Sequence, residues 1–139
     1  MSAKTRTWLE DLSPRECADL LERSWLGRLG VITAGHPEIF PVNHVYEPES
    51  GCVIFPTRAA TKLHSALGST LVAFEVDGVD DDGSGWSVMM VGRAEEETDP
   101  QVIARASGLR RAAWALNERS HWLRIRPTKL TGRRISLVE

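Results

Sequence analysis

Between Ser13 and Gly27 the apolar side chains fall at Cys17, Leu20, Leu21 and Trp25, a helical period that leaves one face to be buried. Ser13-Pro14-Arg15-Glu16 supplies the start: a hydroxyl at the N-cap, a proline at the first helical position and a glutamate placed to close a capping box. The pattern predicts a helix ending near Gly27, preceded by an arm, residues 1–12, in which Trp8 and Leu9 show no period.

From Arg28 onward the texture becomes short β-branched or aromatic runs cut by Gly and Pro. Leu29–Thr33, Ile39–Tyr46, Cys52–Phe55, Leu71–Val76 and Trp86–Glu95 read as strands. The links Ala34-Gly35-His36-Pro37 and Glu47-Pro48-Glu49-Ser50-Gly51 are short and built of turn formers, which favours antiparallel hairpins. Thr61–Leu67, closed by Gly68, has room only for a short helix. Asp77–Gly83 lacks the alternate oxygens and terminal Glu of a calcium loop and reads as a solvated hairpin. Asp99-Pro100 opens a further helix with Val102, Ala106, Leu109, Ala113 and Leu116 along one stripe. Leu123 and Ile125 then alternate with Trp122, Arg124 and Arg126, a turn is expected at Thr131-Gly132, and Ile135–Val138 closes the chain as a strand. These runs give a mainly β (α+β) fold of one domain over residues 1–139. It is a six- to seven-stranded antiparallel barrel, closed or nearly closed, with an N-terminal helix and flanking helices.

Charge narrows the function classes. With 17 Lys+Arg against 19 Asp+Glu in 139 residues, the chain lacks the basic balance of a nucleic-acid binder; only Trp122, Arg124 and Arg126 resemble a base-stacking face. The longest stretch free of charge, Leu63–Phe74, falls short of the roughly 20 apolar residues that span a bilayer. Lys4, Arg6 and Glu10 interrupt any leader-like apolar run, so a cytoplasmic location is expected, without membrane or nucleic-acid partners. Cys17 and Cys52 stand in neither a C-x-x-C nor a zinc spacing and are expected as buried free thiols.

Several catalytic signatures are missing. Gly83-Ser84-Gly85-Trp86-Ser87 has the wrong order for a nucleophile elbow, and neither a Walker loop nor a G-x-G-x-x-G follows the first strand. His36, His44, His64 and His121 are scattered without metal spacing, so no metal is expected. One compact polar group remains, Thr57-Arg58-Ala59-Ala60-Thr61-Lys62, where a strand ends and a short helix begins. Unpaired helix N–H groups, two hydroxyls and two cations there suit an anion, although the same residues would also serve as an ordinary helix cap with a solvated lysine. Pro41-Val42-Asn43-His44 places poor strand formers mid-strand, the mark of a bulge or of an edge facing a flat polar ring.

Taken together, these segments resemble the pyridoxamine 5'-phosphate oxidase-like split-barrel family, and within it the small members related to nitroimidazole reductases. The resemblance rests on Leu26-Gly27-Arg28-Leu29-Gly30, Pro41-Val42-Asn43, Phe55-Pro56-Thr57 with Thr61-Lys62-Leu63, Gly85-Trp86-Ser87-Val88 through Gly92-Arg93-Ala94, and Gly132-Arg133-Arg134-Ile135. It implies a homodimer that binds FMN, with a deazaflavin or haem as the alternatives found among relatives, and acts on a small organic acceptor. On this resemblance Thr57, Arg58, Thr61 and Lys62 hold the cofactor phosphate, Val42, Asn43 and His44 run along the ring, and Trp86 and Ser87 approach it from the other subunit. His44 would be the proton donor beside the ring, unless it is simply a strand histidine. Phe40 and Val45 stand where the oxidases carry an Arg and a Lys. The same barrel without turnover, as a binding module for a flavin or tetrapyrrole, is the alternative function.

Overall fold

The computed structural model describes residues 6–57, 65–67, 71–109 and 120–138. Its elements are β1 (Arg6–Asp11), α1 (Pro14–Arg23), β2 (Leu26–Thr33), β3 (His36–Asn43), β4 (Val45–Glu47), β5 (Cys52–Thr57), β6 (Val72–Val79), β7 (Gly85–Glu97), α2 (Pro100–Leu109) and β8 (His121–Val138). A helical turn at Ser65–Leu67 lies where the short helix is expected; Arg58 to His64, the rest of that segment, fall outside the described residues, as do Ala113 and Leu116.

All pairings are antiparallel, in the order β3-β2-β6-β7-β8-β5-β4, with β1 on the far end of β8. β3 comes back against β5, so the sheet curls into the expected split barrel. Its core is Leu29, Val31, Val42, Val53, Phe55, Phe74, Val76, Val88, Met90, Leu123 and Ile125, all inward on their strands, capped by Cys17, Leu20 and Leu21 of α1. Both cysteines are buried and free. α1 opens on the capping box, with the Ser13 hydroxyl accepting from the Glu16 N–H and the Glu16 carboxylate accepting from the Ser13 N–H, each at 3.1 Å.

Among the described residues eight strands form, more than the pattern alone marks out, for local reasons. Residues 6–11, the expected arm, pair with β8 from Arg6↔Val138 to Asp11↔Arg133; Trp8 and Leu9 remain exposed, which is why no buried period shows. The expected strand Ile39–Tyr46 is two, because the chain changes partner at His44: β3 pairs with β2 as far as Leu26↔Asn43, and β4 pairs with β5 from Val45↔Ile54. α1 stops at Arg23, where the Ser24 N–H and hydroxyl both donate to the Leu20 carbonyl, so Gly27 begins a strand instead of ending a helix. Thr131-Gly132 is not a turn. β8 runs straight through, and Gly132 is there because a Cβ would sit 2.6 Å from Cys17 Sγ, where α1 crosses the strand.

Trp122 and Arg124 are not on an open face either. Trp122 packs with Val45, Ile54 and Ala106 beneath α2. Arg124, 8% exposed, is gripped by Glu97 Oε2 at 2.6 Å and by Glu47 Oε1 at 2.9 Å, with the Ser50 hydroxyl at 3.2 Å. Among the described residues no helix is long and apolar enough to cross a membrane.

Candidate functional site

The candidate residues fall on three parts of the barrel. Val42 and Asn43 end β3 and His44 follows at the break; all three are buried. The His44 ring turns inward, edge-on to Phe74 at 4.9 Å between centroids, and its Nε2–H donates to the Leu21 carbonyl at 3.0 Å. Burial pushes its pKa down to about 4, against the smaller upward pull of that bond. A neutral ring locked to α1 cannot present a proton to a ligand outside the barrel, so the donor role expected of His44 does not fit this geometry. Asn43 donates to the Trp25 carbonyl at 3.4 Å, while its Oδ1 and His44 Nδ1 are buried with no hydrogen-bond partner among the described residues.

Thr57 closes β5 and is buried, on the same inward face as Val53 and Phe55. It leads directly into Arg58, Thr61 and Lys62, the anion candidates, which lie outside the described residues.

Trp86 and Ser87 start β7, and the strand separates them. Trp86 faces inward, packed on the core and lying over Gly78, where a Cβ would meet the indole at 2.6 Å. Ser87 faces outward, opposite Asp77 on β6 and Arg133 on β8. Thr57 pairs with His121 and Ser87 with Arg133, so the length of β8 between those partners, roughly 40 Å of strand at about 3.3 Å per residue, separates the two groups within one chain. One copy does not bring Thr57 and Ser87 into a common site.

The pattern of the fold is shared with known proteins. The pyridoxamine 5'-phosphate oxidase family profile matches residues 13–134. The chain belongs to this family. It is 34% identical over 131 residues to the uncharacterized protein Rv0080 of Mycobacterium tuberculosis, covering 90% of this chain and 84% of that one. Among solved structures, the FAD binding protein of Mycobacterium smegmatis superimposes with a TM-score of 0.73 at 35% identity, over 90% of this chain and 97% of that one. A FAD-binding protein of Mesorhizobium loti shares the fold, with a TM-score of 0.79 at 20% identity, over 94% and 99%.

Within the pyridoxamine 5'-phosphate oxidase family this chain carries its departures in its packing. Phe40 packs against the core and Val45 lies in the cluster under α2, so neither place offers a cation to a phosphate. The outward face of β6 holds a group that the sequence pattern did not single out. Arg28 Nη1 lies 3.3 Å from Glu75 Oε1 and 3.0 Å from Asp77 Oδ2, directly across from Met89 and Ser87. Its signal was two acids, Glu75 and Asp77, alternating with the buried Phe74 and Val76.

Proposed function

We propose that this protein binds a flavin, FMN, between two copies of its chain and uses it in electron or hydride transfer to a small organic acceptor. The observation that carries the reading is the likeness over nine-tenths of the chain to a mycobacterial FAD binding protein of the same fold. The residues present suit the cofactor. Asn43 Oδ1, buried without a donor, would cost about 1–3 kcal/mol left as it is, and a ring edge bearing an N–H would satisfy it. Lys62 and Arg58, with the Thr57 and Thr61 hydroxyls, offer the cations and donors that a phosphate dianion needs. Because Ser87 lies so far from Thr57 in one chain, the Ser87 that reaches this flavin is that of a second copy. Bound there, the flavin supplies the redox chemistry; the chain positions it, excludes water with the Val42 and Asn43 strand end, and neutralises its phosphate. Two buried free thiols fit the reducing cytoplasm.

Lys62→Ala tests the anchor. Losing a charge-assisted bond should weaken FMN binding by about 1.5–3 kcal/mol, read by fluorescence titration, and unchanged affinity would remove the phosphate site from this segment. The inward lock of His44 favours a second reading, the barrel as a non-catalytic flavin module. Reduction of the bound flavin by a nicotinamide donor, followed by reoxidation by an added acceptor, separates the two.

A further inference from the structure

β7 and β8 carry an open cleft of about 680 Å³, which shares only Ser87 with the residues given a role above. Ser87 and Met89 line it from β7, Lys129, Thr131 and Arg133 from β8, and Glu75 from β6. On the outer face of β8 the alternate positions bring Lys129, Thr131 and Arg133 to one side, a hydroxyl between two cations. Neither cation has an ion-pair partner among the described residues, although Asp11 of β1 also borders the cleft. Met89 and Leu12 add apolar wall. We propose that this cleft binds a small organic anion, seated on Lys129 and Arg133, and that Glu75 takes up a proton as the anion enters.

Glu75 is placed for that. Its carboxyl is part-buried at the cleft wall beside Asp77, with which it shares a hydrogen bond once it is protonated, with Arg28 of β2 pulling the other way. Burial, then the bond and the charge of Asp77, push it up to about 7 despite Arg28. A ligand charge arriving in the cleft adds a second negative neighbour and favours the neutral acid, which can then donate to the anion instead of repelling it. Anion binding and protonation of Glu75 therefore assist each other, and affinity falls as the pH rises through neutrality. The charged groups that surround Glu75 are Arg28, Asp77, Lys129, Arg133 and Asp11.

All the residues that line the cleft belong to one chain, and Lys129, Arg133 and Glu75 have no part in the flavin reading. If the flavin reading also holds, the cleft opens beside Ser87 and the acceptor class is an organic acid.

Benzoate is a suitable probe, since it stays ionised throughout, with benzamide as its uncharged counterpart. Calorimetry on the full chain should give an affinity about tenfold higher at about pH 6 than at about pH 8. Heats near neutrality should vary with the ionisation enthalpy of the buffer, reporting proton uptake. Glu75→Gln should bind benzoate with neither effect, and Lys129→Ala or Arg133→Ala should weaken it, with circular dichroism and melting unchanged. Equal binding of benzamide, failure of benzoate to bind, or a pH slope surviving in Glu75→Gln would overturn the proposal. None of these results depends on flavin, so they fail independently of the flavin titrations.

Discussion

The imidazole of His44 holds α1 to the barrel through one nitrogen, and its other nitrogen is unpartnered among the described residues. With Nε2–H donating to Leu21, a second proton must go on Nδ1, which is buried. The ring therefore stays neutral in the fold down to about 4 but titrates near 6.5 when the chain unfolds. Between those values the unfolded state binds more protons. Stability from this source is complete above about 6.5 and drains as the pH falls toward 4, by roughly 3 kcal/mol. Urea denaturation at both ends of that range should show His44→Gln losing less on acidification than the parent chain; parallel losses would mean that His44 is not the buried group that titrates. At this scale sequence could name His44 but not orient it. A strand histidine after Asn43 points in or out according to where the ladder breaks, and the break comes where the chain leaves β2 for β5, a change of partner set by residues distant in sequence. Glu75 was hidden for a related reason: an acid on a strand's outer face is ordinary until Asp77, Arg28 and β8 close round it.

Among the elements, β8 does most to join the parts, pairing with β7, β5 and β1 along its eighteen residues. The alternation of Leu123 and Ile125 was legible, but the Gly132 position read as a turn because sequence cannot show that α1 crosses there. Arg124 resembled part of a base-stacking face for the same reason: α2, and the Glu47 and Glu97 that enclose it, come from elsewhere in the chain. The three groups act as one clamp. Arg124 holds Glu47 of β4 and Glu97 of β7 against β8, and its bonds, with that of Ser50, keep the Glu47 carboxyl below the usual range. Arg124→Met would leave two carboxylates facing each other with little water, and is expected to cost about 3–5 kcal/mol in thermal or chemical unfolding. A loss under 1 kcal/mol would show that solvent reaches this group and that the clamp contributes little.

For the molecule as a whole, the split barrel and its family were legible because short hairpins, Gly and Pro punctuation and ordered motifs leave few other topologies. What sequence order cannot convey is that Thr57 and Ser87 pair with opposite ends of one long ribbon, so the proposed site, which uses both, takes them from two chains. A flavin held between copies is the central claim, and size-exclusion chromatography with absorbance detection tests it directly. After incubation with FMN and removal of the excess, the flavin bands should travel with a species of twice the chain mass, one flavin per chain. Flavin retained in full by a monomer, or a protein peak with no visible band, would contradict the account.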